Sequence, residues 1–172
     1  FRVENWTVHH PVDTERVVID DASFMVRAGE IVGFAGLMGA GRTELAMSIF
    51  GRMYGTGISG EVYKNGQQID VRTVDAAIKH GIAYATEDRK KYGLNLIGDI
   101  QVNVSASALA RLARLGVVDR YREYKVADSY RYKMNIKAPS VAAITGRLSG
   151  GNQQKVVLSK WMFTGPDVLI LD

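Results

Sequence analysis

The chain has 172 residues, 47% hydrophobic and 23% charged, enough to bury the core of one domain. It has no cysteine, which excludes disulfides and thiolate metal sites; no apolar run is long enough to cross a bilayer, and no signal peptide is expected at the start. The formal net charge of +4 is mild. Cations interleave with aromatics in Arg120-Tyr121-Arg122-Glu123-Tyr124-Lys125 and in Tyr130-Arg131-Tyr132-Lys133, a pattern found on nucleic-acid-binding surfaces and on ordinary helix faces alike. The ordinary face is the preferred reading, so no nucleic-acid partner is expected. The chain reads as soluble, with membrane contact only through a partner.

In chain order, strands are expected over 1–8, 16–19, 22–26 and 31–35, the last a short apolar run. Gly36-Leu37-Met38-Gly39-Ala40-Gly41-Arg42-Thr43 follows, and Glu44 opens a stretch of helical spacing that runs to Phe50. Strand, glycine loop and helix in that order are the setting of the phosphate-binding pattern G-x-x-x-x-G-K-[ST]. There the glycines let backbone N–H groups wrap a phosphate, and the helix turns its positive dipole end toward the anion. Gly36, Gly41 and Thr43 fill their places, and Arg42 stands where the lysine is expected. A plain glycine-rich turn is the alternative.

Residues 55–60 read as a flexible turn, 61–70 as a hairpin around Asn65-Gly66, 74–80 as a short helix and 81–86 as a strand. Glu87-Asp88-Arg89-Lys90-Lys91-Tyr92-Gly93-Leu94 then reads as a charged loop, and 103–115 and 125–134 carry helical spacing. Arg147-Leu148-Ser149-Gly150-Gly151-Asn152-Gln153-Gln154-Lys155 opens a last helix that continues to Phe163. Ser149 can cap that helix or donate to an oxyanion, and an ordinary capped helix is the plainer reading. The apolar run 166–171 suits a strand buried on both faces, and it ends in Asp172. An acid at that place can hold a metal through water or cap a following turn.

Together these motifs resemble those of ABC transporter ATPases. Leu148-Ser149-Gly150-Gly151-Asn152-Gln153-Gln154-Lys155 is similar to the family signature in its sugar-importer form. The closest resemblance is to the second, carboxyl-terminal nucleotide-binding domain of the fused subunits serving ribose, xylose, arabinose and galactose importers. In that subfamily the first motif reads G-x-x-G-A-G-R-T-E, so Arg42 matches it, and Glu87 to Gly93 resembles its E-D-R-K-x-x-G stretch. Residues 6–12 and 50–54 look closest to xylose-type or multiple-sugar importers.

The resemblance implies an α/β P-loop NTPase fold of the ABC type, with an antiparallel β subdomain and an inserted helical subdomain over 95–147. It implies ATP and Mg²⁺ as cofactors. Gly36, Leu37, Met38, Gly39, Ala40, Gly41, Arg42, Thr43 and Glu44 would hold the phosphates of this domain. Thr43, Glu87 and Asp172 would face the metal, with Glu87 also a candidate for positioning water where most of the family has glutamine. Ser149, Gly150, Gly151 and Asn152 would complete a site on a second nucleotide-binding domain, either the amino-terminal half of the same subunit or another copy. The helical subdomain would dock a membrane permease, served in turn by a periplasmic sugar-binding protein, at the cytoplasmic face of the cell membrane. The family's catalytic glutamate would follow Asp172, so the resemblance reads 1–172 as a domain truncated after the Walker B strand, without a complete hydrolytic site and with one strand left open at its edge. Adenine stacking by Trp6 competes with packing of that indole, and His10 is the other candidate. Two alternatives remain: an ABC ATPase acting on DNA or ribosomes, and a regulatory half without hydrolysis.

Overall fold

The computed structural model describes all 172 residues, which form two compact units, Phe1–Tyr84 with Asp172, and Ala85–Leu171. In the first unit, β1 (Arg2–His9) buries Val3, Trp6 and Val8 and pairs antiparallel with both β2 (Val17–Met25) and β3 (Thr56–Lys64). β4 (Gln67–Gln68) joins β3 through Asn65 and Gly66, both at positive φ, which is the expected Asn-Gly hairpin. The sheet order is β2-β1-β3-β4.

Three expectations change here. The strands read at 16–19 and 22–26 are one strand, β2, whose register against β1 slips where Asp21 takes φ 47°. The flexible turn read at 55–60 is largely the start of β3. Gly60 sits at φ 102°, and a Cβ there would lie 2.6 Å from the Asn5 carbonyl oxygen, so glycine serves close strand approach instead of mobility. The strand read at 31–35 does not form. A strand exists through ladder bonds to a neighbour, and no sheet includes these residues, so Ile31 is left 98% exposed despite its apolar character.

Helix α1 (Arg42–Ile49) is fastened to the sheet by one buried link: the Trp6 indole N–H donates to Ser48 Oγ at 2.9 Å, and the Ser48 hydroxyl donates to the Leu45 carbonyl at 2.8 Å. Helix α2 (Val74–Lys79) is capped by Thr73, whose hydroxyl accepts from the Ala76 N–H at 3.1 Å. The short strand β5 (Ile82–Ala85) is buried throughout.

In the second unit, α3 (Ile100–Ser105), α4 (Arg120–Lys133) and α5 (Gly150–Phe163) close on a core that includes Ile100, Val104, Ala127, Val141 and Val156. The helix read over 103–115 is broken. α3 ends at Ser105, a 3-10 stretch Ala106–Arg111 bends at Ala108, and the hairpin of β6 (Ala113–Arg114) and β7 (Val117–Val118) turns through Leu115 and Gly116 at positive φ. Leu112 still reaches the core, which is why the apolar spacing mimicked a continuous helix. α4 starts earlier than the spacing suggested because the Asp119 carboxylate caps it, accepting from the N–H groups of Tyr121 and Arg122 at 3.0 Å. On α4, Lys125 stacks over Tyr121 at 4.4 Å and Arg131 over Tyr132 at 4.3 Å, so these cations and rings satisfy one another. The last strand, β8 (Val168–Leu171), alternates between half-buried and exposed and is therefore not buried on both faces as expected.

Two buried polar side chains organise this unit. Asn103 accepts from the Asn95 N–H at 2.8 Å and donates to Thr145 Oγ1 at 3.0 Å, tying α3 to the segment that leads into α5. Glu123, 1% exposed, receives Ser105 Oγ at 2.5 Å, Gln101 Nε2 at 3.0 Å and Arg120 Nη1 at 2.8 Å. Burial alone would raise the Glu123 carboxyl; the three donors outweigh it and hold the group below the usual carboxylate range. Glu123→Ala strands those donors, and chemical denaturation at neutral pH should show a loss of about 3 kcal/mol.

Lys160 is also buried, and its ammonium donates to the Gly93 carbonyl at 2.6 Å. Burial lowers its pKa from 10.5 to about 8. Between those two values the unfolded chain holds a proton that the folded chain has released, so stability rises with pH across that window, while below pH 8 the full penalty of a buried ammonium persists. Denaturation curves from pH 7 to 10.5 should show a gain of roughly 3 kcal/mol that is absent from Lys160→Met.

Candidate nucleotide site

The loop from Gly36 to Thr43 lies open in the first unit, and every residue from 36 to 40 is exposed. Its curvature comes from Gly39 and Gly41, at φ 79° and 82°, with one turn bond from the Ala40 N–H to the Leu37 carbonyl at 3.1 Å. Gly41 is favoured by its left-handed backbone, and a Cβ there would lie 2.9 Å from Ile19 Cδ1, so a larger residue would also have to displace the Ile19 side chain. It also leads directly into α1 with no side chain capping the helix. The first N–H groups of α1 are therefore left for an anion, the condition a phosphate loop needs. Arg42 opens the helix and folds back toward the loop, its Cδ and Nε each 3.9 Å from where a Gly36 Cβ would be. Glu44 lies in the first turn of α1, and Leu37 and Met38 are exposed loop residues.

The decisive contact lies at the start of this helix. The Thr43 hydroxyl donates to Asp172 Oδ1 at 3.0 Å, and the Tyr84 hydroxyl donates to Asp172 Oδ2 at 2.8 Å. Residues 129 and 88 positions apart thus share one carboxylate. An alcohol and a carboxylate side by side are hard oxygen donors, which fits Mg²⁺. Glu87 belongs to the other unit and is exposed, and no group of three acidic or histidine side chains forms an ion cage. Tyr84 was missed in the sequence, where it read only as one residue of an apolar strand; a phenol within such a strand, needing a partner for its hydroxyl, was the available signal.

The second unit presents another open helix start, that of α5. Ser149 takes the cap position, but its side chain makes no capping bond to the backbone. Its hydroxyl instead accepts from Asn152 Nδ2 at 2.9 Å, while Asn152 Oδ1 accepts from the Lys137 N–H at 2.9 Å. Asn152 thus steadies Ser149 and anchors it to the preceding segment. The first helical bond runs from the Gln153 N–H to the Ser149 carbonyl at 2.9 Å, so the N–H groups of Gly150 and Gly151 have no partner within the helix.

Of the two candidates for stacking on a base, Trp6 is committed to the core, 1% exposed and bonded to Ser48. His10 lies on the surface, where its ring nitrogen receives the N–H groups of Val12 and Asp13 at 3.3 and 3.0 Å.

Comparison with known proteins accords with this geometry. The ABC transporter family profile matches residues 19–172. The chain is 58% identical over its whole length to the L-arabinose transport ATP-binding protein AraG of Geobacillus stearothermophilus, and 47% identical to the xylose import ATP-binding protein XylG of Thermoanaerobacter pseudethanolicus. Over 90% of the chain it is 44% identical to the ribose import ATP-binding protein RbsA of Clostridium tetani. The chain spans about a third of the length of these relatives: 34% of the first two and 30% of the third. A dimeric ATP-binding cassette in a post-hydrolysis state with ADP and Pi superposes with a TM-score of 0.79 at 18% identity, covering 99% of this chain and 72% of that one. A bacterial Atm1-family exporter with ATP bound gives 0.73 at 21% identity, covering 99% of this chain and 28% of the other. With the fold of an ATP-binding cassette and a family match over most of its length, the chain belongs to the ABC transporter family.

Proposed function

We propose that this chain is the nucleotide-binding part of a sugar importer's ATPase subunit, binding ATP with Mg²⁺ and driving monosaccharide uptake through a membrane permease. The reported relatives are named for arabinose, xylose and ribose, which supports a monosaccharide as the cargo. The same names support transport over action on DNA or ribosomes. In this reading the permease supplies the channel, fed by a periplasmic binding protein, and the chain sits peripherally on the cytoplasmic face; no helix of the chain is long and apolar enough to cross a membrane.

The single observation that carries the reading is the meeting of Thr43 and Asp172 at the uncapped start of α1. The loop amides and the helix dipole hold the phosphates, and Arg42 adds positive charge with a planar fork instead of a compact ammonium. Thr43 and Asp172 face the metal, with Tyr84 holding the second carboxylate oxygen in place. Mg²⁺ held there would supply charge neutralisation at the phosphate oxygens. Glu87, at the place where most of the family has glutamine, is proposed for metal or water positioning. Ser149, Gly150 and Gly151 serve the γ-phosphate of a second nucleotide-binding domain, with Asn152 steadying Ser149. The arginine loop makes this domain's own site the weaker one, and the open start of α5 completes the stronger site on its partner.

Two measurements test these assignments. Asp172→Asn keeps a side chain able to bond Thr43 and Tyr84 but loses the charge, so affinity for ATP should fall about tenfold or more in Mg²⁺ and stay unchanged in EDTA, read by fluorescent-nucleotide titration. In the intact subunit with its second domain, Gly150→Asp should lower ATP turnover by about 10²-fold or more, and Arg42→Ala by about tenfold or less. Equal losses would sink the unequal-site reading.

A further inference from the structure

The segment after β5 is seated along one stripe of α5. Residues Arg89–Gly93 form a single π-type turn, started by Asp88, whose carboxylate accepts from the Lys91 N–H at 3.0 Å. Arg89 Nε donates to Gln153 Oε1 at 3.1 Å, and a Cβ placed on Gly150 would lie 2.9 Å from Arg89 Nη2. At the other end of the turn, a Cβ on Gly93 would lie 3.2 Å from Val157 Cγ2, and the Lys160 ammonium holds the Gly93 carbonyl at 2.6 Å. Gly150, Gln153, Val157 and Lys160 recur at helical spacing and so share one face of α5.

Gln153 passes this contact on. It is buried, and its amide donates to the carbonyls of Thr145 at 3.3 Å and Leu148 at 3.2 Å, the segment that delivers Ser149 to the helix start. Gly150 is the residue that lets the guanidinium lie against the backbone. A planar fork can bond Gln153 with one nitrogen while another rests over Gly150; a lysine reaches only one of these places.

We propose that Arg89 is a positioning residue for the open start of α5, setting the direction of the Gly150 and Gly151 N–H groups, with the Lys160–Gly93 bond as the distant anchor. This rests on the reading that those groups serve a γ-phosphate on a second domain. Donors aimed at developing charge must be held to within about 0.5 Å of their productive geometry, whereas capture of ground-state nucleotide depends mainly on the phosphate loop of the other domain. Arg89 therefore governs the rate of turnover and not the affinity for ATP. Because Arg89 is only half-buried and lies outside the apolar core of the unit, its removal leaves the fold standing.

The test has two arms. In the 172-residue chain, NMR order parameters for the Gly150 and Gly151 amides should fall from about 0.85 to below about 0.6 in Arg89→Ala, with the melting temperature changed by less than about 4 °C. In the intact subunit with its second domain, Arg89→Ala should lower kcat at least about tenfold with KM for ATP within about twofold, and Arg89→Lys should rescue neither readout. Unchanged order parameters in Arg89→Ala, full rescue by lysine, or a rise in KM matching the fall in kcat would each overturn the proposal. If the unsubstituted subunit shows no ATP turnover, the importer reading fails while the order parameters still decide the role of Arg89.

Discussion

One carboxylate gathers the candidate nucleotide site. Asp172 accepts from Thr43 with one oxygen and from Tyr84 with the other, so the first turn of α1, the strand β5 and the residue after β8 converge on a single charge. A carboxylate satisfied by two hydroxyl donors keeps lone pairs to spare for a cation or its water shell, and its orientation is fixed before any ligand arrives. The other parts of the site take their meaning from it. Without Asp172 beside Thr43, the glycine loop is a surface turn leading into a helix.

The two helix starts are built alike. Gly41 ahead of α1 and Gly150 and Gly151 at the head of α5 leave N–H groups without side-chain caps, where a serine or aspartate cap would normally satisfy them. Ser149 shows how this is arranged. It occupies the cap position, yet Asn152 claims its hydroxyl and the backbone donors stay free. By contrast, Thr73, Asp99 and Asp119 do cap their helices through side-chain bonds, and none of those helices belongs to a candidate site.

The second unit supports its open helix start with buried polar links. Asn103 ties Thr145 to α3, Gln153 ties Thr145 and Leu148 to α5, and Lys160 closes on Gly93. Such links carry a desolvation cost, seen in the lowered pKa of Lys160, and in return they restrict the segment to one arrangement. Glu123 does the same for α3 and α4, with three donors around one carboxylate. Apolar packing alone would hold these helices together but would fix their relative position less sharply.

Much of the site was legible in the linear chain because its chemistry is local. The spacing of Gly36, Gly41 and Thr43 fits the phosphate-loop pattern and Asn65-Gly66 specifies a hairpin, through backbone conformations within a few residues, whereas Ser149-Gly150-Gly151 reads more simply as a capped helix until Asn152 is seen to claim the Ser149 hydroxyl. What depends on distant partners was not legible. The apolar run 31–35 has strand composition but no ladder, and helical spacing over 103–115 concealed a bend at Ala108 and a hairpin at Leu115. Arg89, Gln153 and Tyr84 looked like ordinary loop, helix and strand residues until long-range contacts assigned their partners. The sequence by itself determined where glycines free the backbone and where positive and negative charge would lie. Only the tertiary structure decided which side chains meet them, because a hydrogen bond across 64 or 129 residues leaves no periodicity in the chain.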